Sequence, residues 1–309
     1  MSEMKATRAA YGEALAEFGC NENIVVMDCD LSKSTMTCKF QEKYPDRFIN
    51  TGIAEANMMS VAAGLASCGK TVFASTFSIF AAGRAYEQVR NSICYPNLNV
   101  KVAASHAGIT VGEDGASHQM IEDISLMRTI PNMTVVSPAD AIEARLAIKA
   151  AIDTEGPFYI RLGRLPFPII NDTDSYKFEL GKGVTVREGK DITIIATGYM
   201  VSKSLEAAEI LKEQGIDARV INIHTIKPID KDIIIKAATE TKGIITVEEH
   251  NVIGGLGSAV AEVTAKYAPC KMSFVGIQDK FGKSGKPAQL LEEYGLTPEE
   301  ITKQAGAML

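Results

Sequence analysis

The sequence predicts an α/β protein with two doubly wound domains, each a mostly parallel sheet flanked by helices. Three observations carry this prediction. Short runs rich in Val and Ile alternate with longer stretches whose apolar residues fall three and four apart. A break rich in proline and glycine interrupts the alternation once, and it then restarts. The 309 residues, 46% hydrophobic and 23% charged, are enough for two cores of ordinary size.

In chain order, the first half carries predicted strands at 24–27, 47–50, 71–75, 99–104, 133–136 and 158–161. Predicted helices at 7–18, 54–67, 79–93 and 138–152 lie between them. The last of these has a readable start: Ser137 can cap it, and Pro138 suits a first helical turn. The stretch LGRLPFPIINDTDSYKFELGKG then reads as a linker, with two prolines, several glycines and Asn171-Asp172. A boundary near 170–180 gives domains of residues 1–172 and 173–309. Beyond it, strands are predicted at 191–197, 219–223, 243–248 and 272–275, with helices at 201–214, 231–239 and 258–267.

Composition excludes several function classes. A formal net charge of −6 leaves no basic stripe for nucleic acid. No apolar run approaches the ~20 residues of a bilayer span, and the opening MSEMKATRAAYGEAL lacks the apolar core of a signal peptide. Cys20, Cys29, Cys38, Cys68, Cys94 and Cys270 are scattered without a C-x-x-C pair, which predicts reduced thiols and a cytoplasmic location. No group of residues has metal-ligand spacing.

The most informative stretch is SHAGITVGEDGASHQ, residues 105–119, directly after the strand NVKVAA. It lies at a strand's carboxyl end, where parallel sheets place ligands. His106 and His118 flank Glu113 and Asp114, so imidazoles and a carboxylate on one loop can bind hydroxyls or move protons near neutral pH. A mobile glycine-rich loop with hydrated histidines is the alternative. The second candidate is NTGIAEANMM, where a strand passes through Gly52 into a helix with Glu55 in its first turn. Glu55 either serves the helix dipole there or, given Met58, Val61, Ala62 and Leu65 on the helix, borders a dry interface with a strong hydrogen bond to offer. Third, STFSIF is predicted to open the next helix, and Phe77 and Phe80 form either ordinary core or a wall for an aromatic ring. Ile253-Gly254-Gly255-Leu256-Gly257-Ser258 lacks the last glycine of a dinucleotide fingerprint and reads as tight strand–helix packing. His224 and His250 lie at strand ends without a carboxylate–glycine constellation and read as structural.

Four stretches together, DRFINTGIAEANM, ASTFSIF, SHAGITVGEDGASHQ and the late FGKSGKPAQLLEEYGLT, resemble the transketolase family of thiamine diphosphate enzymes over the whole chain. The resemblance is to the pyrimidine-binding domain followed by the C-terminal domain. Residues 1–309 do not supply the G-D-G…N motif with which the family's amino-terminal domain holds Mg²⁺ or Ca²⁺ and the diphosphate. Met1 falls where the pyrimidine domain should begin. The resemblance therefore implies the second subunit of a split transketolase, with a separate N-terminal subunit, active sites shared across an interface, and a dimer of heterodimers acting on sugar phosphates.

Residue by residue, Glu55 matches the carboxylate that bonds N1′ of the aminopyrimidine. That bond favours the imino tautomer of the 4′-amino group, the base for carbon 2 of the thiazolium. Phe80 matches the ring that stacks on the pyrimidine, with Phe77 beside it, and Asp30 a carboxylate near the cofactor. Asp114 matches the reader of the donor's hydroxyl configuration, and His118 a residue that bonds hydroxyls at the reacting end. Arg8, Ser34, His106 and Arg164 match the sugar-phosphate grip. Arg161 competes with Arg164, which is preferred because Leu165-Pro166 follows it. The implied reaction is transfer of a two-carbon ketol unit from a ketose phosphate to an aldose phosphate. The β subunit of a 2-oxo acid dehydrogenase and a deoxyxylulose-phosphate-synthase-like enzyme are enzymatic alternatives. An inactive scaffold or regulatory module is the alternative from another class.

Overall fold

The computed structural model describes residues 3–309. The chain forms two compact units: residues up to Ala107 with Leu126–Leu180, and Gly108–Ser125 with Gly181–Leu309. Gly108–Ser125, which precedes residue 172 in sequence, thus packs with the second unit.

The elements up to residue 168 are, in order, β1 (Met4–Ala6), α1 (Thr7–Phe18), β2 (Ile24–Asp28), α2 (Ser32–Thr35), α3 (Cys38–Lys43), β3 (Phe48–Asn50), α4 (Glu55–Ser67), β4 (Thr71–Phe77), α5 (Tyr86–Gln88), β5 (Val100–Ser105), α6 (Asp123–Thr129), β6 (Thr134–Val136), α7 (Ala141–Asp153), β7 (Phe158–Arg161) and β8 (Pro166–Pro168). In the first unit, strands run parallel in the order β6-β7-β5-β4-β2-β3. Every residue of β2, β4 and β5 is buried, as expected of parallel strands covered on both faces. The core joins Tyr11 and Leu15 of α1, Phe40 of α3, Ile148 of α7, and Ile24, Val26, Phe73, Phe158 and Ile160 of the sheet.

The remaining elements are β9 (Val184–Arg187), β10 (Ile192–Ala196), α8 (Met200–Glu213), β11 (Ala218–Asn222), β12 (Thr225–Lys227), α9 (Lys231–Glu240), β13 (Ile244–Asn251), α10 (Leu256–Tyr267), β14 (Met272–Ile277), α11 (Pro287–Glu293) and α12 (Pro298–Gly306). The second unit's sheet has the order β14-β13-β10-β11-β9, parallel except for β9, which runs antiparallel on β11 at the edge. Val201 and Leu211 of α8, Val220 of β11, Ile244 of β13 and Val260 of α10 are fully buried.

The two doubly wound, mostly parallel sheets stand as predicted, and three local expectations are corrected. Helix α7 starts at Ala141, capped by Asp140, whose side chain accepts from the Glu143 amide at 2.8 Å. Ser137 and Pro138 lie outside it, because Asp140 also takes the amides of Ile170 and Asn171 and fixes the start there. Ser75–Phe77 continues β4, paired with β5 as far as Phe77↔Ser105, so the following helix begins later. That helix is two π-helical segments, Ile79–Arg84 and Val89–Cys94, around α5. Within the expected linker, β8 pairs antiparallel with β1, Met4↔Pro168.

Candidate active site

Glu55 is the first residue of α4 and is only 2% exposed. Its carboxylate does not cap the helix but accepts a hydrogen bond from Arg84 Nη1 at 2.9 Å. A π-turn places Arg84, whose guanidinium carbon lies 4.6 Å above the Phe80 ring. Phe80 and Phe77 stack with centroids 6.1 Å apart and planes 15° from parallel. The His106 ring also stacks on Phe77, with centroids 3.9 Å apart. Glu55, Arg84, Phe80, Phe77 and His106 therefore form one row. The row exists because β4 runs on to Phe77 and β5 ends in a sharp turn at His106, which has φ +59°. Ser78 Oγ donates to the Ser105 carbonyl at 3.0 Å, joining the two strand ends. Ser105 Oγ lies 2.9 Å from His106 Nδ1. Met58 and Ala62 of α4 are buried, whereas Val61 is exposed.

This row fits a planar, nitrogen-bearing ring. The guanidinium plate lies on an aromatic face and donates to the buried carboxylate, the two contacts that a stacked aminopyrimidine would require.

Arg8, Ser34 and Arg164 also come together. Arg8 donates to the carbonyls of Ser34 at 2.7 Å and Arg164 at 3.1 Å. Partial burial, then the neighbouring Arg164 charge, lowers the Arg8 pKa from its ordinary value. Arg164 is half-buried, whereas Arg161 is buried within β7. Asp30 is exposed, with φ +65°, and its amide donates to Asn50 Oδ1. The carboxylate buried in the same turn is Asp28, which accepts from Leu31 N, Thr35 Oγ1 and Thr37 Oγ1. Burial raises its pKa, and the hydrogen bonds oppose the shift.

Asp114 and His118 belong to the second unit. Asp114 ends the segment Ile109–Asp114, two short 3₁₀ turns separated by a kink at Gly112, and is exposed, and half-buried His118 has Nδ1 3.0 Å from Ser117 Oγ. The Gly254–Gly257 loop is filled from within: Glu248 accepts from the amides of Leu256 at 2.7 Å and Gly257 at 2.8 Å, so these amides at the start of α10 are already taken by a side chain. This bears out strand–helix packing. It also corrects the expectation for His250, which does have carboxylate and glycine neighbours: Glu248 Oε2 lies 3.6 Å from Nδ1, and a Cβ on Gly255 would lie 2.6 Å from the same atom. Its hydrogen bonds run to the backbone, at the Asn251 carbonyl and the Ser125 amide. His224 is fully buried beside Thr225 Oγ1, and burial lowers its pKa to about 4 against the opposing pull of Asp230. Sequence reasoning passed over Arg84, Glu248 and Glu249. Only the π-turn and bonds between segments far apart in sequence give them roles.

Fold and site first define a class: a two-domain α/β chain with a buried carboxylate at a helix start beside an aromatic row. The family profile described as "Transketolase, pyrimidine binding domain" matches residues 3–168, and "Transketolase, C-terminal domain" matches residues 181–301. The chain belongs to the transketolase family. It is 52% identical over 303 residues to a Methanocaldococcus jannaschii chain that carries the name transketolase C-terminal section, covering 97% of this chain and 95% of that one. It is 44% identical to the 6-deoxy-6-sulfo-D-fructose transketolase subunit SqwH of a Clostridium species, covering 96% of this chain and 92% of that one. Among solved structures, a split-gene transketolase described as an inactive β4 tetramer superposes with a TM-score of 0.93 at 53% identity, covering 99% of this chain and 98% of that one. No helix among the described residues is long and apolar enough to cross a membrane.

Proposed function

We propose that this chain is the cytoplasmic, pyrimidine-binding subunit of a split transketolase. It moves a two-carbon ketol unit from a ketose phosphate to an aldose phosphate only when assembled with an N-terminal subunit. That partner holds the diphosphate and its Mg²⁺ or Ca²⁺, and two such pairs form a dimer of heterodimers. The observation that carries this reading is Glu55, 2% exposed at the start of α4 and aligned with the Phe77–Phe80 stack. The description of a split-gene relative as an inactive β4 tetramer supports dependence on a partner.

When bound, thiamine diphosphate supplies the acidic thiazolium carbon and the electron sink that ketol transfer needs. Glu55 shares a proton with the pyrimidine ring nitrogen, in a seam dry enough for that bond to be strong. To do so it exchanges its Arg84 partner for the ring. Phe80 would supply the stacking face, with Phe77 bracing it, and Asp30 would be a carboxylate near the cofactor. Asp114 reads the donor's hydroxyl configuration, and His118 bonds hydroxyls at the reacting end. Arg8, with Ser34, His106 and Arg164, grips the sugar phosphate. Its backbone bonds to residues 34 and 164 hold the guanidinium in place before substrate arrives.

The test is co-expression with the N-terminal subunit, followed by assays with ketose phosphates and with pyruvate. Co-purification and turnover of ketose phosphates only by the mixture is expected. Turnover of pyruvate instead would favour the 2-oxo acid dehydrogenase or deoxyxylulose-phosphate-synthase alternatives. Full activity of this chain alone would refute the proposal.

A further inference from the structure

The segment that ends in Asp114 is held in the second unit by a residue more than a hundred positions away. Glu249, on β13 and 4% exposed, accepts the Thr110 amide at 2.7 Å through Oε1. Thr110 lies in the first turn of Ile109–Asp114, where an amide has no partner within the helix. Gly108 lets the backbone lie directly on this carboxylate. Its φ is +82°, and a Cβ there would lie 2.1 Å from Glu249 Oε1. The far end of the turn is held as well. Ser284 Oγ donates to the Glu113 carbonyl at 2.6 Å. Gln119 Nε2 donates to the carbonyls of Gly112 at 3.1 Å and Lys283 at 2.9 Å. Helix α11 packs against the turn, and a Cβ on Gly112, which has φ +84°, would lie 3.1 Å from Pro287 Cγ. The backbone is thus tied at both ends of the segment, and Asp114, its last residue, is exposed.

We propose that Glu249 is a positioning residue for donor recognition: through the Thr110 amide it sets the turn from which Asp114 meets the donor's hydroxyls. The inference rests on the ketol-transfer reading of Asp114, and it gives the C-terminal domain a part in specificity. Glu249 acts through another residue and touches no reacting atom.

The test uses the full chain assembled with its N-terminal subunit. Glu249→Ala removes the acceptor, whereas Glu249→Gln keeps an oxygen for the Thr110 amide. Glu249→Ala is expected to raise the donor KM about tenfold or more while carbon-2 hydrogen exchange of the coenzyme stays within about twofold of wild type. Glu249→Gln is expected to recover most of the lost donor affinity. Ser284→Ala, a milder change at the other end, is expected to raise donor KM about threefold. Deuterium uptake across 108–120 should rise in Glu249→Ala and not in Glu249→Gln, whatever reaction the enzyme performs. An unchanged donor KM in Glu249→Ala, or a carbon-2 exchange rate that falls in step with donor affinity, would overturn the inference. If Glu249→Ala fails to fold, an unchanged donor KM in Ser284→Ala overturns it. If the wild-type assembly transfers no ketol unit, the ketol-transfer reading fails, and the uptake data still report whether Glu249 holds the turn.

Discussion

Lys101 offers a stability prediction whose size follows from its surroundings. It lies in β5 with no exposed surface, and its amine donates to the carbonyls of Thr154 and Gly156 at 2.7 Å each. Helix α7 has no basic residue in its last turn, so an amine from a neighbouring strand caps its carboxyl end instead. The ring centroid of Phe158 lies 4.2 Å from the same nitrogen. Burial pushes the Lys101 pKa from 10.5 down to about 7, with Glu155 pulling the other way. The unfolded chain keeps this proton up to about pH 10.5, whereas the folded chain releases it near 7. Between those values the unfolded state binds more protons, so stability rises with pH. At about 1.4 kcal/mol per unit, the two units from pH 7.5 to 9.5 are worth about 3 kcal/mol. Lys101→Met carries no such proton and serves as the reference. Urea unfolding of both proteins across this range should show wild type gaining about 3 kcal/mol on the variant. Parallel pH profiles would refute the reasoning.

Three further outcomes follow from single contacts. Phe80→Ala should weaken thiamine diphosphate binding by the assembled enzyme about tenfold, the value of one aromatic stack, and unchanged binding would remove Phe80 from the site. Asp140→Ala should cost about 3 kcal/mol or more, because it strips acceptors from the amides of Glu143, Ile170 and Asn171; a calorimetric Tm within a degree of wild type would contradict the assigned cap. Arg84→Ala should destabilise the chain without its coenzyme by about 1–2 kcal/mol, discounted because the arginine is 52% exposed; no change in urea unfolding would show that the pair does not hold Glu55.

Much of this architecture was legible because its signals are local. Thr7–Phe18 carries its apolar residues at helical spacing, and Phe158–Arg161 is a short apolar run bounded by turn residues; both elements have the predicted bounds. What stayed hidden depends on groups far apart in sequence. Ser137-Pro138 looks like a helix start until Asp140 is seen bonding residues 170 and 171. The run after Phe77 has ordinary helical composition, and no residue pattern in it signals the i→i+5 turns it forms. The same limit applies to the site. Glu55 stood out as a carboxylate at the start of an apolar helix, whereas Arg84 becomes its partner only through the π-turn. The loop with Asp114 and His118 could be recognised by its glycines and histidines. Its dependence on Glu249, 139 residues away, leaves no trace in local sequence.

The most direct measurement is the rate at which thiamine diphosphate exchanges its carbon-2 hydrogen for deuterium, followed by NMR in the two-subunit assembly. With wild-type chain the rate should rise only when both subunits are present. With Glu55→Ala in the same folded assembly it should fall about a hundredfold or more. Exchange at the wild-type rate in that variant would contradict the role assigned to the carboxylate.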